Sequence, residues 1–157
     1  MWQLIAASSG AFAASWTAAV VVTALGHWVP AVPLLAVAGA AWAAAGAASM
    51  LWSRGQAWWT PPCTVGAVSV AMLASLAWFG TLYAAIAAYN PAALTAPVLD
   101  GWAPYGLAID VMRSGMGIVL PYSLGARIAV GVEQLVVWPT VLVLIATLVA
   151  SLGPRRR

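Results

Sequence analysis

Over most of this chain the apolar positions form neither a helical stripe nor a strand alternation; they run on in long stretches with hardly a charge among them. Four such stretches, Trp2 to Val29, Val32 to Trp52, Cys63 to Tyr89 and Leu124 to Leu152, meet the ~20 residues that a helix needs to cross a ~30 Å hydrocarbon layer. The pattern predicts four transmembrane helices. The first is N-terminal, but it lacks a basic start and exceeds the 7–15 apolar residues of a signal peptide, so it is read as retained. Pro30 and Pro33 are expected to separate the first two helices, and Pro61 and Pro62 to open the third, where a first turn tolerates proline. Trp2, Trp28, Trp52, Trp58, Trp59 and Trp102 fall at or near the ends of these runs, the depth at which amphipathic rings meet headgroups.

Composition removes the soluble alternative. The chain is 64% hydrophobic and 6% charged, whereas a globular domain carries about 25% charged residues. The expected class is an all-α integral membrane protein with the lipid bilayer as its solvent. All six basic residues are arginine, and Arg155, Arg156 and Arg157 supply half of them in a terminal tail. That tail suits anionic headgroups and is too short for a nucleic-acid-binding arm. Arg54 lies between the second and third runs, and the tail follows the fourth, so both basic sites share one side. The excess of arginine in retained loops then puts both termini in the cytoplasm. Cys63 is the only cysteine and His27 the only histidine. Neither a disulfide nor a thiolate metal site can form; Cys63 is expected to pack at a helix start, and His27 to sit at the interface. In the second run, Ala36, Ala40, Ala44 and Ala48 make a ladder of small residues with Gly39, Ala43 and Ala47 beside it. The ladder is either a close helix contact or a consequence of alanine-rich composition.

Asn90 to Ser123 is long for a connection and rather apolar. Connections beyond ~12–15 residues are usually functional or disordered, and a segment rich in Leu, Val, Ile, Met, Trp and Tyr is not composed for disorder. A re-entrant segment explains it better, because non-helical backbone is tolerated at membrane depth when protein buries it or water lines it. Tyr105 to Arg113 can form a short helix, Ser114, Gly115, Met116 and Gly117 end it, and Ile118 to Pro121 lead out extended; glycine opens backbone angles closed to other residues. Thr64-Val65-Gly66-Ala67 has no such setting and reads as ordinary helix.

The run Tyr105 to Arg127, YGLAIDVMRSGMGIVLPYSLGAR, resembles the pore loop and inner-helix entry of the potassium-channel-like two-helix ion channel family. Tyr105, Gly115, Gly117, Pro121, Ser123, Ala126 and Arg127 coincide with its pattern, and Glu133 falls where prokaryotic members often carry a glutamate. The resemblance implies a short pore helix and extended filter between helices three and four. It divides the chain into two N-terminal helices with a cytoplasmic loop (1–59) and a pore-like unit (60–157): outer helix 63–89, pore loop 90–123, inner helix 124–152 and basic tail. It also implies a homotetramer in a prokaryotic cell membrane, with Ser114, Gly115, Met116 and Gly117 as the filter-like constriction and inorganic ions as cargo. The sequence departs from the family where potassium is selected. Met112 and Arg113 stand at the filter threonines, Met116 at the aromatic position and Ile118 at the acidic one, so potassium selectivity is not expected.

Three charges at or near membrane depth are the candidate pore electrostatics: Asp110, Arg113 and Glu133. Arg113 either pairs with Asp110, three residues earlier on one helix, or faces the filter as a cation. Glu133 is an intramembrane carboxylate and therefore a functional candidate; it faces either a water-filled cavity, or a neighbouring subunit or the pore helix through hydrogen bonds. Gly131 and Pro139 are hinge candidates, Pro139 because it removes a backbone hydrogen bond in mid-span, although a permanent bend fits equally. The first two runs contain no arginine, so no arginine-rich voltage sensor is expected, and with a five-residue tail no ligand-binding domain is expected either. An enzyme is not expected, since the scattered carboxylates, histidine and cysteine give no catalytic residues, cofactor site or metal set. Two functions stay open: an ion-passing tetramer, or a non-conducting subunit of a larger membrane complex.

Overall fold

The computed structural model describes residues 2–53, 61–94, 103–114 and 121–152. They form five α-helices: α1 (Trp2–Ala24), α2 (Trp28–Ser53), α3 (Pro61–Tyr89), α4 (Ala103–Ser114) and α5 (Leu124–Leu152), with a 3-10 turn at Pro91–Ala93. Four of them are long and apolar enough to cross a membrane, over Trp2–Ala24, Val29–Ser49, Cys63–Tyr89 and Leu124–Val143. The described residues are thus all-helical, in an architecture compatible with a multi-pass membrane protein. Large apolar side chains such as Leu73, Leu135 and Val149 remain outside the bundle, a surface that hydrocarbon stabilises and water does not.

α1 and α2 form an antiparallel hairpin. The turn does not lie at Pro30 and Pro33, as the sequence suggested. α1 ends at Gly26, whose φ of 79° is the left-handed conformation that glycine adopts without a Cβ penalty. His27 N–H donates to Val22 O at 2.8 Å and Gly26 N–H to Thr23 O at 2.9 Å, the paired bonds that satisfy a helix's last carbonyls. α2 then begins at Trp28 and contains both prolines. Pro30 falls in the first turn, where backbone N–H groups have no helical partner to lose, and the helix continues through Pro33.

The alanine ladder is not the packed face within this chain. Of its residues Ala36, Ala40 and Ala44 are exposed and only Ala48 is buried, on a face shared with Ala31, Leu35, Ala38 and Ala45. The reason is geometric: at 3.6 residues per turn a strict four-residue step drifts around the helix, while alternating threes and fours hold one face. α1 answers with Phe12 and Ala19. Phe12 meets Trp42 at 4.9 Å between ring centroids, and Trp2 meets Trp52 at 5.8 Å where the hairpin's two open ends come together.

α3 is the hub of the bundle, touching α1, α2, α4 and α5. Its Trp78 indole N–H donates to the Leu35 carbonyl at 2.9 Å, reaching α2's backbone beside Gly39, where no side chain intervenes. Phe79 and Tyr83 of α3 pack with Leu107, Ala108 and Val111 of α4 and with Ala126, Ala129 and Val130 of α5. This second core holds the short helix in place.

Candidate functional site

The chain leaves α3 and enters α5 at one shared end. Asn90 Oδ1 accepts from Ala92 N–H at 3.1 Å, starting the 3-10 turn, and Leu94 pairs with Pro121 in an isolated antiparallel bridge. Tyr122 N–H donates to Ala93 O at 2.8 Å. Ser123 then caps α5, its Oγ accepting from Ala126 N–H at 3.1 Å, as serine does at an N-cap. Arg127 Nε donates back to Pro121 O at 3.2 Å. The connection that carries α4 is therefore closed at its neck, where Leu94 meets Pro121.

Inside that loop, α4 turns Pro104, Leu107, Ala108 and Val111 inward, all buried, at the spacing of one helical face. The expected helix over Tyr105 to Arg113 is present as Ala103–Ser114. Its seat on α3 is made by an absence: Gly80 leaves the space that the Tyr105 ring fills, and a Cβ there would stand 2.9 Å from Tyr105 Cε1 and Cγ. The neighbouring Thr81 completes the seat. Its hydroxyl donates to Ala77 O at 3.0 Å, accepts from the Trp16 indole at 2.9 Å and lies 3.4 Å from Tyr105 Oη. One donor and two acceptor positions are all that a hydroxyl has, so Thr81 is fully used and joins α1, α3 and α4. Thr81 is eight residues before the end of α3, about 12 Å along the axis at 1.5 Å per residue.

Glu133 is completely buried between α5 and α3. Tyr83 Oη donates to its Oε2 at 2.5 Å, while its Oε1 is buried with no hydrogen-bond partner. Counted from the start of α5, Glu133 is nine residues in, about 13–14 Å along the axis, near the middle of the apolar span Leu124–Val143. The structure thus places this carboxylate against α3 of its own chain, where the sequence had suggested the pore helix or a neighbouring subunit.

The other predicted residues are scattered by comparison. Ser114 is the last residue of α4, and Gly115, Met116 and Gly117 lie outside the described residues. Asp110 is half-buried and Arg113 exposed, three residues apart on α4. Gly131 and Pro139 are exposed, and α5 runs through both without interruption. Cys63 lies in the first turn of α3 but is exposed rather than packed; Thr64 to Ala67 are plain α3 helix. No group of three His, Cys, Asp or Glu suited to a metal ion occurs among the described residues.

Tyr83, Gly80, Thr81 and Trp16 were not singled out by sequence. A usable signal existed for Tyr83, a tyrosine well inside the third apolar run and hence an available donor for an intramembrane acid. Comparison with known proteins finds no matching family model, curated protein or solved structure.

Proposed function

We propose that this is a pore-loop membrane protein: the segment between α3 and α5 re-enters the bilayer, and four copies surround an ion path lined by the Ser114 to Gly117 segment. Both termini face the cytoplasm in this reading. The observation that carries it is the seat of Tyr105 on Gly80 and Thr81. A loop merely covering the helix ends would meet α3 near Tyr89, whereas this one meets it about 12 Å deeper. The tied neck at Leu94 and Pro121 is what a hairpin that dips and returns requires. Non-helical backbone at such depth is permitted only against protein or a water-filled path, which a ring of copies provides.

Arg113 favours a second reading. It is exposed on the last turn of α4, directly before the filter-like segment, and four guanidinium groups there would oppose cation entry. A non-conducting subunit of a larger membrane complex has no need of an open filter. Reconstitution in liposomes separates the two. The pore reading expects passive flux of small ions without potassium selectivity from a fourfold-symmetric particle. Intact homo-oligomers that pass no ion of either sign would leave the accessory role.

A further inference from the structure

We propose that the Tyr83–Glu133 pair is a proton-binding site, with Glu133 carried as a neutral carboxylic acid in the folded protein. This holds whether or not the chain conducts ions.

The argument proceeds from what can satisfy Glu133 Oε1. The carboxyl group is fully buried, one oxygen is bonded to Tyr83 at 2.5 Å, and the other has no partner. From α3 the titratable group facing it is Tyr83. α4 turns Leu107, Ala108 and Val111 toward the shared core and carries Asp110 half-buried and Arg113 exposed. On α5, Arg127 is six residues earlier, exposed, with its Nε on Pro121 O. No described cation pairs with Glu133.

Three occupants would complete the carboxyl. A metal cation gathers about six or more oxygen ligands, and the site offers one carboxylate and one phenol. A buried water needs two to four polar partners, and the buried residues one turn to either side of Glu133 on the same face of α5, Val130 and Val137, give none. A proton takes no further ligand, and the O–H it forms is a neutral group whose burial costs far less than that of an unpaired charge. It also removes the larger penalty, that of an ionised carboxylate without a counter-ion at membrane depth.

The chain is well suited to the test because its only side-chain carboxylates are Asp100, Asp110 and Glu133. Infrared spectra of the full-length protein in lipid at neutral pH should contain an acid carbonyl band that Glu133→Gln removes. Tyr83→Phe should keep the band and shift it to higher frequency, because the hydrogen bond on the acid is lost. Dicyclohexylcarbodiimide, an apolar reagent that adds to protonated carboxyls, should leave its mass on the peptide bearing Glu133, and Glu133→Gln should lose that label. An acid band absent from wild type and Tyr83→Phe alike would overturn the proposal even if Glu133→Gln fails to fold. So would a carbodiimide label confined to Asp100 or Asp110.

Discussion

The two ends of the chain solve the problem of packing in lipid differently. The α1–α2 hairpin associates through alanines and aromatic rings, with Ala19 and Ala31 fully buried and no ionisable residue within either described helix. The α3–α4–α5 unit instead buries a glutamate, a tyrosine and a threonine hydroxyl. Helices in lipid gain no hydrophobic advantage from touching one another, so close packing and interhelical hydrogen bonds decide which pairs form. The hairpin uses the first and the loop-bearing unit the second. The difference teaches where specificity lies: a purely apolar seam can slide by a turn, but Tyr83 to Glu133 and Trp16 to Thr81 fix depth and rotation.

That contrast can be broken at several places. The largest effect is expected from Tyr83→Phe, which leaves Glu133 with no partner at all and should cost about 1–3 kcal/mol for an orphaned buried group; Glu133→Gln, which still accepts from Tyr83, should cost less. Reversible unfolding in mixed micelles measures both. Gly80→Ala comes next at about 1–3 kcal/mol, the usual cost of overpacking. Combining it with Tyr105→Ala should recover part of that loss, because the clash needs both side chains; additive costs in a double-mutant cycle would remove the proposed seat. Thr81→Val is expected to cost about 1–2 kcal/mol by stripping Trp16 and Tyr105 of their shared partner, with a changed Trp16 fluorescence. The smallest effect belongs to the hairpin's outer face. Ala40→Leu should stay within about 0.5 kcal/mol, whereas Ala38→Leu, on the packed face, should cost about 1–3 kcal/mol. Equal costs would mean that the ladder is a contact surface after all.

Much of the fold was legible because its causes are local. Apolar run length marked α3 and α5 nearly to the residue, and Pro61 could only begin a helix, not interrupt one. α4 was legible too, from Tyr105 to Arg113, since glycine follows it at once. The first turn was misplaced because proline is the louder signal, while a single glycine at 26 carries the positive φ that reverses the chain. Of the two readings of the alanine ladder, a contact within the chain does not hold for Ala36, Ala40 and Ala44, because a four-residue step resembles a face in one dimension and leaves it in three. At the candidate site, Glu133 announced itself as an isolated carboxylate in an apolar run. Its partner Tyr83 lies fifty residues away in sequence, and Gly80 matters only through the ring that fills its space. Neither relation has a local pattern to read.

The depth of α4 is the claim on which the rest depends, and disulfide trapping in native membranes tests it directly. In a Cys63→Ala background, Tyr105→Cys is paired in turn with Gly80→Cys and with Tyr89→Cys, and the oxidised peptides are identified by mass. The account predicts rapid linkage between positions 105 and 80 and none between 105 and 89. The reverse pattern would place α4 over the outer ends of the helices and contradict a segment that dips into the bilayer.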